Sequence, residues 1–261
     1  MKNISSKFAP NISWSGVVPF IISMWRNTAA IFWKETKTYF TSPMAYIIAG
    51  VFLAITGYLF VQSISTTFPE ASIRGWLEPS TTIFVLLSPA LTMRLLAEEQ
   101  KLGTLELLMT SPIRDYEIVL GKFFAVLAIL LATLSLTMFY TLMLVWFGDP
   151  DIGPLLCGYL GIILFGASTL AVGMLASSLT SNQVVAAVVS FGFLLLMVLT
   201  NQAADITSGL AAQILEGFSL TGHFEDFSRG ILDTNNIVYY FSVITTFLFL
   251  TIRNIESRRW R

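Results

Sequence analysis

The sequence predicts an all-α integral membrane protein with six transmembrane helices and both termini on the inner side, and three observations predict it. Of 261 residues, 55% are hydrophobic and only 12% charged, roughly half the charge of an average soluble domain. Long uncharged runs are separated by charged or turn-rich breaks, and a spanning helix needs about 20 mostly apolar residues. Lysine and arginine are distributed unevenly between the two sets of connections.

The first span is read from Pro43 to Gln62 or slightly beyond, and the second from Ser80 to about Leu96, interrupted by Pro89. The third covers Phe123 to Phe147. Ile152 to Ala204 carries no charge and is too long for one helix, so the polar cluster Ser177 to Gln183 divides it into the fourth and fifth spans. The sixth runs from Ile237 to Ile252. An even number of spans puts both termini on one side. With those termini inside, the inner segments hold thirteen of the fifteen Lys and Arg, leaving only Arg74 and Arg229 outside. The outer connections hold nine of the sixteen acids. That bias predicts a cell-membrane protein with cytoplasmic termini.

The non-spanning parts follow from pattern. Residues 1–27 form an N-terminal extension whose lysines are followed by no apolar signal-peptide core. The apolar run WSGVVPFIISMW contains Pro19, is too short to span, and reads as an interfacial or loosely ordered arm. Over 28–42, Ala29, Phe32, Trp33, Thr36 and Phe40 share one helical face, as in an amphipathic helix lying on the inner membrane surface. A six-span domain is assigned to 43–253 and a basic cytoplasmic tail to 254–261. The outer connection, residues 203–236, is too apolar for a solvated loop and too short for a span, which fits a re-entrant or surface-lying helix pair. Thr41-Ser42-Pro43 and Thr110-Ser111-Pro112 each offer a hydroxyl N-cap followed by proline at the first helical position.

Catalytic patterns are absent from the sequence. It holds no P-loop for ATP and no His-Glu-x-x-His for zinc. One cysteine, Cys157, and one histidine, His223, exclude an internal disulfide and a metal cage built from Cys and His. No Asp, Glu, Lys or His lies mid-span, which disfavours proton coupling and intramembrane hydrolysis. The net charge of −1 does not suggest nucleic acid as a partner. Gly121-Lys122 reads as a boundary lysine snorkelling to the interface. His223, with Glu225 and Asp226, reads as a polar loop that is solvated or caps a helix.

The remaining candidate is RLLAEEQKLGTLELLMTSP, Arg94 to Pro112, five charges in an apolar chain. Arg94 and Glu98 have the spacing of an ion pair on an extension of the second span, with Glu99 and Lys101 beside them. Gly103 weakens the helix. Thr104 to Thr110 spans about two turns, with Leu105, Leu108 and Met109 on one side and Glu106 on another. The Ser111-Pro112 cap starts the next helix, with Asp115 near its positive end. This is either a short crosswise helix suited to a groove on a soluble partner or an ordinary charged loop that obeys the positive-inside rule.

At these residues the sequence resembles the ABC-2 family of ABC-transporter permeases, closest to the branch associated with gliding motility and copper-enzyme maturation. The motifs are KETKTYFTSP from Lys34, SPALTMRLLAEE from Ser88, GTLELLMTSP from Gly103, EIVLGK from Glu117, ASSLTSNQ from Ala176, HFEDFSRG from His223 and ESRRW from Glu256. The resemblance implies an amphipathic connecting helix, a cytoplasmic coupling helix over 98–112, and a re-entrant outer hairpin that includes His223, Phe224, Phe227 and Arg229. It also implies a non-catalytic export subunit pairing with a second permease, identical or not, and with a separate ABC ATPase that holds the ATP and Mg. No cofactor is expected in this chain. Membrane lipids and a periplasmic auxiliary protein complete the expected partners. The ATPase contact is assigned to Glu98, Glu99, Gly103, Thr104, Leu105, Glu106, Leu107, Leu108, Thr110 and Pro112. The alternative is an anchor or mechanical component of a motility or envelope machine, driven by the same ATPase without cargo.

Overall fold

A computed structural model describes residues 14–65, 73–105, 113–148 and 151–258. Among the described residues there are ten helices and no strand: α1 (Trp14–Thr41), α2 (Pro43–Ile64), α3 (Arg74–Thr92), α4 (Ala97–Leu102), α5 (Asp115–Phe147), α6 (Ile152–Leu179), α7 (Gln183–Ile206), α8 (Leu210–Phe218), α9 (Gly222–Ser228) and α10 (Thr234–Arg258). Six of them, α2, α3, α5, α6, α7 and α10, are long and apolar enough to cross a membrane. The chain is a multi-pass membrane protein.

The local signals explain several boundaries. Ser42 is the N-cap of α2, its hydroxyl accepting from the Met44 N–H at 3.4 Å, with Pro43 at the first helical position. Gly103 ends α4 in the left-handed region at φ 70°, where a side chain would be strained. Asn182, inside the predicted divider, caps α7 by accepting from the Val184 N–H at 3.0 Å.

Other boundaries differ from the sequence reading. The stretch taken as a loose arm is helical from Trp14 onward, continuous with the predicted connecting helix. α3 begins at Arg74 rather than Ser80 and stops at Thr92, so the predicted extension through Glu99 is not one rod. α5 begins after Arg114, whose backbone N–H donates to Glu117 Oε2 at 3.1 Å. Ser111 and Pro112 lie outside the described residues.

The packing order follows burial. In α6, 78% of the most apolar window is buried, against 22% in α7 and 28% in α2 and α10, so α6 is the central post. It contacts α3, α5, α7, α9 and α10. Its glycine at 161 lets the short helix α9 approach closely, since a Cβ there would lie 2.5 Å from Phe227 Cβ. The exposed sides of α2, α7 and α10 present Tyr58, Val61, Val184, Leu196, Phe241 and Phe249, a surface that hydrocarbon solvates at no cost.

Candidate functional site

Three charged side chains converge where α1, α4 and α5 meet. Lys122, two turns into α5, is 1% exposed, and its Nζ lies 2.8 Å from Glu99 Oε1 on α4 and 3.1 Å from Glu35 Oε1 on α1. The snorkelling reading of Lys122 is therefore corrected. Its ammonium is held inside by two carboxylates, an arrangement that offsets the desolvation of a buried charge. Gly121 makes this possible, because a Cβ there would lie 2.8 Å from Ile31 Cβ and 3.1 Å from the Thr28 carbonyl oxygen. One turn earlier the buried Glu117 also accepts from Asn27 Nδ2 at 3.1 Å. α1 and α5 are thus joined by close packing and two polar contacts.

α1 divides into three sectors, at about 100° per residue. Thr28, Ile31, Glu35 and Tyr39 turn toward the bundle, Trp25, Trp33 and Phe40 are exposed, and Arg26, Lys34 and Lys37 occupy a third side. The predicted aromatic face exists, but the face that packs is the one carrying Glu35. Tyr39 ties α1 to the end of α3 by donating to the Leu91 carbonyl at 2.8 Å. Burial, then the carboxylates Glu35 and Glu98, push the Tyr39 hydroxyl well above its ordinary value against the opposing Arg94, so it remains a donor.

The turn between α3 and α4 leaves backbone groups without helical partners, and Ser177 at the end of α6 supplies them. Its Oγ accepts from the Leu96 and Ala97 N–H groups, both at 3.1 Å, and donates to the Met93 carbonyl at 3.1 Å. Beside it, the Ser178 carbonyl accepts from Gln100 Nε2 at 2.9 Å, Asn254 Nδ2 at 2.8 Å and Arg258 Nη2 at 3.1 Å. The last turn of α6 is thereby capped by α4 and α10, with a cation at its negative end. Sequence reasoning read Ser177 and Ser178 only as part of a divider between spans. The signal available was two hydroxyls at a helix C-terminus next to an unaccounted chain break.

This break also corrects the expected Arg94–Glu98 pair. The two residues form no ion pair, because i,i+4 pairing needs continuous helix and residues 93–96 are turn. Both instead line a cleft of about 290 Å³ between α1 and α4, which Lys122 also borders.

Of the assigned coupling residues, Glu98, Glu99, Gly103, Thr104 and Leu105 are described, whereas Glu106, Leu107, Leu108, Thr110 and Pro112 lie outside the described residues. Leu105 is 4% exposed, buried in the chain's own core, so it is not free to enter a partner's groove. Glu99 is committed to Lys122. Thr104 Oγ1 donates to the Glu99 carbonyl at 3.3 Å.

The segment 222–239 forms a second cluster. Phe224 and Phe227 are buried, and Phe165 of α6 meets Phe224 edge-on at 5.8 Å between centroids. His223 stacks on Tyr239 at 3.9 Å, and its Nδ1 lies 2.7 Å from Asn236 Oδ1, while Asn236 Nδ2 donates to Asp226 Oδ2 at 2.8 Å. The histidine is thus packed and hydrogen-bonded rather than simply solvated. Arg229 makes an exposed pair with Glu225 at 3.2 Å, a contact of small worth. Arg74 Nε donates to the Ser228 carbonyl at 2.9 Å, and Ser228 Oγ to Glu78 Oε1 at 2.9 Å, fastening α9 to α3. No group of three or more His, Cys, Asp or Glu with metal-binding placement occurs among the described residues.

The comparisons with known proteins agree with this architecture. A family model described as "ABC-2 family transporter protein" matches residues 80–221, more than half of the chain. Proteins described as "Probable multidrug ABC transporter permease YbhR" from Escherichia coli K12 and Escherichia coli O157:H7 are each 27% identical over 179 residues, covering 62% of this chain and 47% of theirs. The chain thus spans about half the length of these curated relatives. With six helices long and apolar enough to span and a family match running from the second of them to residue 221, the chain belongs to the ABC-2 family of transporter proteins.

Proposed function

We propose that this chain is the permease subunit of an ABC-2 exporter, gated by ATP binding and hydrolysis in a separate ATPase. Both termini and the 98–112 segment face the cytoplasm of a cell membrane, two permeases form the translocation path, and the chain itself breaks no bond. ATP and Mg belong to the partner. The observation that carries this reading is the double pairing of Lys122. Through Glu99 and Glu35 it joins the start of the coupling segment to α1 and α5, while Gln100 joins the same short helix to α6. A push on that segment therefore reaches several spans as a rigid displacement, the kind of discrete movement that gates a path. Leu107 and Leu108 are the groove contacts, Leu105 and Glu99 anchor the segment to the permease, and Glu106 meets basic residues of the ATPase.

Co-purification with the ATPase tests this. Glu106→Lys and Leu108→Asp leave the protein inserted in the membrane but release the ATPase or uncouple its ATP-dependent activity. Full association and activity in both variants would overturn the assignment. ATP hydrolysis by the intact complex with no cargo bound, moved or stimulating would instead favour the mechanical role.

A further inference from the structure

The cleft beside Lys122 contains charges that the Glu35–Lys122–Glu99 triad does not use. Tyr39 donates to Leu91 and Ser42 caps α2, so both hydroxyls are engaged. Arg94 and Glu98, opposite in sign, line the cleft without an ion pair or hydrogen bond. Glu99 Oε2, in the same wall, is buried without a hydrogen-bond partner. A buried acceptor left unmatched is costly, and a ligand that brings a donor to it gains accordingly. The cleft sits at the level of two span ends, the N-cap Ser42 of α2 and the turn after Thr92 of α3. On the adjoining α1, Trp33 and Phe40 are 69% and 47% exposed, the type of side chain that seats at a bilayer boundary.

We propose that this cleft binds the headgroup of a phospholipid carrying both a phosphate and a primary ammonium, that is, phosphoethanolamine on a lipid. Arg94 and the neighbouring Lys34 take the phosphate, and Glu98 with Glu99 Oε2 accepts N–H bonds from the ammonium. Selectivity follows from donor count. A choline headgroup has the same charges but no N–H, so it leaves Glu98 and Glu99 Oε2 without a donor. A purely anionic headgroup places its charge against Glu98 without a compensating cation. This site does not depend on the ATPase reading, since only the chain and the bilayer take part.

The test is native mass spectrometry of the full-length protein released from nanodiscs holding equal phosphatidylethanolamine, phosphatidylcholine and phosphatidylglycerol. We expect phosphatidylethanolamine to be retained about tenfold over phosphatidylcholine, the factor one charge-assisted hydrogen bond supplies. Glu98→Gln and Arg94→Gln should each reduce that preference severalfold. Both positions are unpaired, so the variants keep the wild-type melting temperature in phosphatidylcholine alone, which separates lost binding from lost folding. Equal retention of the ethanolamine and choline lipids, or a preference unchanged in both variants, overturns the proposal. So does retention of phosphatidylglycerol above the others, which would make the site a simple cationic patch. If free phosphoethanolamine raises the melting temperature as much as the lipid does, the lipid assignment also fails in favour of a soluble headgroup.

Discussion

Lys122 Nζ and Glu99 Oε1 lie 2.8 Å apart with the lysine side chain 2% exposed, which makes this the pivotal contact between the short helix α4 and the membrane-spanning helix α5. Glu35 completes the arrangement from α1 at 3.1 Å. Glu35 also lies 3.6 Å from the exposed Lys34, but Lys122 is the one buried cation that both carboxylates share.

Replacing it therefore has a predictable cost. Lys122→Met leaves Glu35 and Glu99 facing each other and should destabilise the protein by about 3–5 kcal/mol, the usual penalty for orphaning a buried charge. Adding Glu35→Gln and Glu99→Gln should recover most of the loss. Thermal unfolding in a fixed detergent measures both effects; an unchanged melting temperature in the single variant would mean the triad contributes nothing.

Gly121 sets how near α1 can come. Gly121→Ala pushes a methyl to 2.8 Å from Ile31 Cβ, and overpacking of this kind costs about 1–3 kcal/mol. Ile31→Gly removes the Cβ that this methyl would meet, so it should cost less in the Gly121→Ala chain than it does alone. If the two changes simply add as losses, the close approach is not what the glycine is for.

Ser177 and Ser178 are neighbours with different jobs. Ser177→Ala strips the partner from two buried N–H groups at the α3–α4 turn and should cost about 1–3 kcal/mol. Ser178→Ala should cost less, because the backbone carbonyl does most of the accepting from Gln100, Asn254 and Arg258. Hydrogen exchange at Leu96 and Ala97 should speed up in the first variant and not in the second.

Between α9 and α10, Asn236 is 4% exposed and bridges His223 to Asp226. Asn236→Ala should loosen α9 from α10 at a cost of about 1–3 kcal/mol, seen as faster exchange over 222–228 with the inner triad untouched. Equal protection in variant and wild type would show that ring stacking on Tyr239 alone holds the histidine.

How far such contacts were legible beforehand depends on whether the cause is local. The Ser42-Pro43 start of α2 and the end of α4 at Gly103 were readable, since a cap or a left-handed turn is chosen by residues within one helical turn. The Arg94–Glu98 pair was misread for the same reason: the spacing is right only if the helix continues, and continuity was decided by Ser177 and Tyr39 from elsewhere in the chain. Leu105 looked like an outward contact because its pattern is amphipathic, and pattern does not say whether the apolar side meets a partner or the chain's own core.

The sequence by itself determined that six segments enter a bilayer, because about 20 apolar residues in a row are expelled from water whatever surrounds them. Only the tertiary structure decided which charges meet. Lys122 and Glu35 are 87 residues apart in the chain, and a lysine at a helix boundary can as well extend toward water as turn inward. The choice is made by the desolvation balance of a buried ion pair, which exists only once α1, α4 and α5 have packed around it.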